Sequence, residues 1–193
     1  MTYILIIFAV LLTIIAGAFS FSRFGKPVQA QGKDSGEADM RQARAITLSS
    51  SMFSNGGAIP SEYTCDGRNI SPPLAISHVP AKAKSLALTV EDADASGGTF
   101  DHWVVFNIPP VTSLIEQGQN PPGMHGNNSR GQREYAGPCP ESETHQYVFT
   151  LYALDAPLPV SEGSAKRVVL DAMEGHVISV AQLTGLYRRR LLD

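Results

Sequence analysis

A β-rich, essentially all-β domain is the fold class that the sequence predicts, on three observations. From Ile46 onward the apolar residues fall in short runs divided by Pro, Gly and Asn clusters. Several of these runs alternate or carry dense β-branched and aromatic side chains. Helical spacing is clear in a single short stretch, Ser164 to Glu174.

Taken in order, residues 1–30 read as a signal peptide or membrane anchor. The first twenty contain no Asp, Glu, Lys or Arg, and Tyr3 to Phe19 is apolar apart from Thr13. Those 17 residues sit at the lower limit for crossing a bilayer and exceed a usual signal-peptide core. No polar face exists, which speaks against a core helix of a soluble protein. Ala16-Gly17-Ala18 and Val28-Gln29-Ala30 are small-residue sites that a signal peptidase could read. Arg23 and Lys26 follow the apolar run, and no basic side chain precedes it. The expected location is therefore exported (periplasmic or extracellular) or membrane-anchored. In an uncleaved helix, the charge asymmetry gives a cytoplasm-facing anchor as the alternative. Residues 31–44 are a flexible polar linker, and 45–193 form the folded domain.

Within that domain, Ser85 to Glu91 alternates, with Leu86, Leu88 and Val90 on one face. His102 to Ile108 is apolar on both faces and reads as a central strand covered on each side. Gln146 to Leu154 is a third strand. Ser164 can cap the short helix and Gly175 can end it, while His176 to Leu183 fits either a continued helix or a last strand. The long connections at 55–80 and 109–144 hold most of the Pro, Gly and Asn, and loops of that length usually carry function.

Composition removes several classes. Residues 31–193 hold 13 basic against 18 acidic residues, a net charge of −5, which argues against nucleic-acid binding. Two cysteines exclude a disulfide-scaffold miniprotein and an all-cysteine iron–sulfur site. The Arg188-Arg189-Arg190 triplet reads as a solvated terminus, although near a membrane it could touch anionic lipid.

Four segments could carry chemistry: Asp92-Ala93-Asp94 at a strand end, Asp101-His102-Trp103 at a strand start, Gly137-Pro138-Cys139-Pro140, and His145-Gln146-Tyr147. On a strand His145 and Tyr147 share a face, and one hairpin connection separates Asp92 from His102. A carboxylate beside a histidine favours the charged imidazole. Imidazolium and phenol both donate to phosphate or carboxylate oxygens. The same residue types could hold a metal, but no HExxH-like spacing is present. One by one, each segment is as well explained by a turn, a core aromatic or a structural histidine.

In combination, these segments and Asn69-Ile70-Ser71-Pro72-Pro73-Leu74, in order and spacing, resemble the phosphatidylethanolamine-binding protein family in its bacterial Raf-kinase-inhibitor-like branch. The resemblance covers roughly residues 46–190. It implies a β-sandwich of antiparallel sheets with a few short helices, and a small pocket for phosphate-type anions and phospholipid head groups. The family's pocket positions fall on Asp92, His102, Pro138, Cys139, His145 and Tyr147, with Asp94, Trp103 and Gly137 in support. The sequence departs from the family where Ala93 and Ser96 replace two prolines and where Gln146 replaces an arginine. Glu141 and Glu143 add two acids beside the anion site. Cys65 and Cys139 lie in loops that the resemblance brings near the pocket mouth. In an exported chain they are expected to form one disulfide, and facing the cytoplasm two reduced thiols.

The expected function is non-catalytic binding of a phosphate- or carboxylate-bearing ligand or a phospholipid head group, with no cofactor and no resident metal. In that scheme His102 and His145 donate, Asp92 orients one imidazole and Tyr147 supplies a hydroxyl. The alternatives are inhibition of a protein partner, a kinase or protease, through the pocket-rim loops, or a metal-dependent hydrolase. For the latter no Gly-x-Ser-x-Gly nucleophile elbow is found.

Overall fold

A computed structural model describes residues 45–189; the expected signal or anchor segment and the linker lie outside the described residues. In chain order come β1 (Thr47–Ser49), β2 (Gly57–Ala58), β3 (Leu74–Ser77), β4 (Ser85–Asp92), β5 (Phe100–Ile108), β6 (Leu114–Ile115), β7 (Met124–His125), β8 (His145–Leu154), α1 (Lys166–Met173) and β9 (Val177–Tyr187). Six strands form one sheet in the order β2-β9-β8-β4-β5-β7, and β1-β3-β6 form a second. All pairings are antiparallel except the short parallel contact of β2 with β9.

The large sheet is covered on both faces. Leu88, Trp103 and Phe149 meet Leu48, Ile76 and Ile115 of the small sheet in one core. On the opposite face Val169 and Met173 of α1 pack with Ala87, Val104 and Phe106. This double burial explains why Trp103 to Phe106 is apolar at every position. β5 is not central, however: its outer neighbour is the two-residue β7, and the middle of the sheet is β8 beside β4. In β4 both faces are buried, because the small Ala87 and the Thr89 methyl let the strand close against other elements.

The helix begins one residue later than expected. Its N-cap is Ala165, without a side-chain cap, and the Ser164 carbonyl instead accepts a hydrogen bond from Asn127 N at 3.0 Å. Gly175, at φ +78°, reverses the chain after the helix. The next element is a strand: β9 pairs with β8 from Val177–Leu154 to Tyr187–His145. Ten rungs of long-range pairing decide what local pattern left open.

Candidate functional site

The site lies where β4 ends and β5 and β8 begin. Asp92 stands opposite Phe100 on β5 and Tyr147 on β8. Its side chain is almost wholly buried and both oxygens are used: Oδ1 accepts from Asp94 N at 2.9 Å and Oδ2 from His145 Nδ1 at 2.8 Å. Asp94 Oδ2 in turn accepts from Gln146 N at 2.9 Å. A hydrogen-bonded Asp-x-Asp turn therefore clamps the start of β8 and orients the His145 ring.

His102 reaches the site by a break in register. Val90 pairs with Trp103 and Glu91 with Asp101, so His102 is the extra residue of a β-bulge. Strict alternation back from Val104, which faces the helix, would put His102 on the helix side. The bulge instead sets its ring 4.7 Å from Phe100 and 5.2 Å, edge-on, from Tyr147. Its Nδ1 donates to the Ala136 carbonyl at 2.5 Å. Burial pushes the His102 pKa below its ordinary value, and the Ala136 hydrogen bond and the Asp92 charge offset this only in part. At neutral pH the ring is thus neutral, with its proton on Nδ1 and a lone pair on Nε2. The expectation that His102 donates to an anion changes accordingly: its donor is taken by the protein.

Asp92, His102 and His145 line one cavity of about 140 Å³, together with Ala95, Ser96, Phe100, Arg130, Cys139, Pro140 and Glu141. At roughly 30 Å³ per water molecule, that is room for a small oxyanion but not a drug-sized ligand. Pro138 and Tyr147 are buried beside the cavity without lining it. The Tyr147 hydroxyl is buried beside Asp92 and the Cys139 backbone without a well-formed hydrogen bond to either. Burial first, then the Asp92 charge, raise its pKa well above the ordinary phenol value, so it stays protonated. Trp103 is not at the cavity. It packs edge-on against Tyr135, 5.6 Å between ring centres, in the core between the sheets.

The far wall is tied to the 63–69 loop. Cys65 and Cys139 form a disulfide, with Cα atoms 5.4 Å apart. Cys65 N donates to the Pro138 carbonyl at 3.0 Å, and Gly137 N donates to Asn69 Oδ1 at 2.8 Å. A Cβ on Gly137 would come within 2.6 Å of the Tyr63 carbonyl oxygen, so only glycine permits this approach. Glu143 does not line the cavity; with Asp94 and Glu141 it borders a neighbouring depression. Among the described residues, no three His, Cys, Asp or Glu side chains are grouped to hold a metal ion.

Arg130, Phe100, Ser96, Pro140 and Glu141 are lining residues that sequence reasoning did not assign. Phe100 could have been found two residues before His102 on an extended strand. Arg130 is brought in by a loop whose path no local pattern announces.

Comparison with known proteins agrees with this fold. The sequence profile of the phosphatidylethanolamine-binding protein family matches residues 49–188. A protein of Methanothermobacter thermautotrophicus, named as a UPF0098 protein, is 50% identical over 150 residues, covering 75% of this chain and 99% of the relative. A relative from Mycobacterium tuberculosis, named as a lipoprotein, LppC, is 40% identical over 148 residues, covering 75% of this chain and 73% of its own. The crystal structure of CT736 from Chlamydia trachomatis, a phosphatidylethanolamine-binding protein homologue, superposes with a TM-score of 0.74 at 43% identity, covering 76% of this chain and 99% of that one. With matches of this length and identity, the chain belongs to the phosphatidylethanolamine-binding protein family.

Proposed function

We propose that the protein binds, without turning over, a small phosphate- or carboxylate-type group, free or carried by a phospholipid head group. The observation that supports this reading is the convergence of Asp92, His102, His145 and the Arg130 side chain on one small cavity. The guanidinium offers a planar fork of donors. His145, held through Nδ1 by Asp92, presents its remaining nitrogen. Phe100 and Pro140 supply apolar wall. A non-catalytic role is supported by Cys139, which as half of a disulfide has no thiolate to offer as a nucleophile.

Protonation of the histidines adds positive charge to the lining, so affinity falls as pH rises through the histidine range. Titration calorimetry with inorganic phosphate at pH 6 and pH 8 tests this. Tighter binding at pH 6 is expected, and equal affinity at both, or none at either, refutes it. We also propose that the domain works outside the cytoplasm or at a membrane surface. The apolar segment before residue 20, the disulfide and the lipoprotein relative support this. Mass spectrometry of the native protein under non-reducing conditions, showing residues 1–30 removed and no free thiol, is the expected result.

A further inference from the structure

The anion reading leaves a difficulty of charge. Asp92 and Glu141 both line the cavity, and Arg130 is its one permanent cation. Arg130 makes no ion pair among the described residues, and its guanidinium carbon lies 5.9 Å from the centre of the Phe100 ring. Its backbone is firmly placed. The buried Asn128 accepts through Oδ1 from Arg130 N at 2.9 Å and Gln132 N at 3.0 Å, and donates through Nδ2 to the Glu134 carbonyl at 2.9 Å. Ser129 N donates to the Asp101 carbonyl, and Ser129 Oγ accepts from Asp101 N at 2.8 Å. The turn is thereby fixed to the start of β5, beside His102, and delivers the arginine to the cavity lip.

The second fact is the tautomer of His102. A ring nitrogen 2.5 Å from a carbonyl oxygen must carry the proton. Nε2 makes no hydrogen bond to the described protein and, while the ring is neutral, can only accept. Asp92, Asp101, Arg130, Glu141, His145 and the Tyr147 hydroxyl surround this ring; burial first and then Arg130 lower its pKa against the pull of the Ala136 hydrogen bond, Asp92 and Asp101, so the neutral form persists below the usual histidine range. A fully ionised anion would therefore set an oxygen lone pair against the Nε2 lone pair. An oxyanion that keeps one proton offers a charged oxygen and a donor together.

We propose that the cavity selects a phosphate monoester bearing one proton, with Arg130 holding a charged oxygen and Nε2 of His102 accepting the P–O–H. This rests on the anion reading above and narrows it. Phosphodiesters, as in most phospholipid head groups, and sulfate esters have no such proton near neutral pH, whereas a monoester with its second pKa near 6 does. The acids Asp92 and Glu141 sharpen the choice, since they repel a dianion more than a monoanion.

Calorimetry at pH 6.5 with phenyl phosphate, methyl phenyl phosphate and phenyl sulfate separates the cases on the unaltered protein. Phenyl phosphate is expected to bind at least tenfold more tightly than the other two. Repeated at pH 5, the gap to phenyl sulfate narrows only to the extent that His102 itself takes up a proton. Arg130→Gln is expected to weaken phenyl phosphate at least tenfold. Equal affinity for phenyl phosphate and phenyl sulfate at pH 6.5, or an Arg130→Gln protein that binds as tightly as the parent, overturns the proposal and leaves an anion site standing. Failure of all three compounds at both pH values removes the anion reading itself.

Discussion

Two consecutive acids at the end of β4 meet opposite fates. Asp92 turns to the cavity and pairs with His145, a partner whose charge depends on pH. Glu91 turns to the helix face, where the Lys166 ammonium of α1 sits between it and Asp101. Burial disfavours that ammonium, but the two carboxylates outweigh it and raise the Lys166 pKa. One cluster is held by a permanent cation and partly buried under the helix; the other is held by a histidine and opens to the cavity. Two neighbouring carboxylates thus serve the fold and the ligand separately, and strand alternation alone divides them.

The largest effect expected concerns the covalent tie on the cavity side. Replacing both Cys65 and Cys139 by serine should cost about 4 kcal/mol in the chain-entropy view, given the 74-residue separation. Urea unfolding measures it, and a loss under about 1 kcal/mol would show that the wall is held by its hydrogen bonds alone. Next, Lys166→Met strands two part-buried carboxylates. A fully buried pair broken in this way costs about 3–5 kcal/mol, and partial exposure reduces the expectation to about 2 kcal/mol. Phosphate affinity should change less than twofold, and a parallel loss of binding would break the division between the two clusters.

Asp92→Asn should do the reverse. Affinity for phosphate at pH 6 falls about tenfold, because a neutral amide no longer holds His145 Nδ1 by a charged hydrogen bond, while stability drops by only about 1 kcal/mol. The smallest effect is in pH. The folded pKa of His102 lies below its ordinary value of about 6.5. The unfolded chain therefore binds the proton first, and this group's contribution to stability rises with pH between the folded midpoint and about 6.5, and is lost on acidification. NMR titration of the ring should place the midpoint below 6.5 and, since Arg130 lowers it, higher in Arg130→Gln. A midpoint above 6.5 in the parent protein would mean that the ring is not buried as described.

The strands were legible where burial is simple. The β8 run, its His145 start and the Asp92–His102 hairpin come from alternation and loop length. The family motifs carried the disulfide pairing and four of the lining residues, Asp92, His102, Cys139 and His145. Three things were not legible, each for a physical reason. β9 could not be told from helix because Val177 to Leu183 suits either, and only its partner β8 settles it. Tyr147 sits one layer behind the surface it was expected to form, because the His102 ring and its rung partner Asp92 stand between it and the cavity. Arg130 arrives through side-chain hydrogen bonds of Asn128 to backbone up to six residues away, which leave no periodic trace.

A regular ladder offers each residue only two directions, and both faces of β5 from Trp103 to Phe106 are already committed to cores. The bulge at His102 opens a third. It lets a strand with no free face there aim an imidazole at the cavity while Val90 still pairs with Trp103 and Glu91 with Asp101. Deleting one residue there would be expected to restore the regular ladder and erase the ligand, so binding could vanish from a fully folded protein.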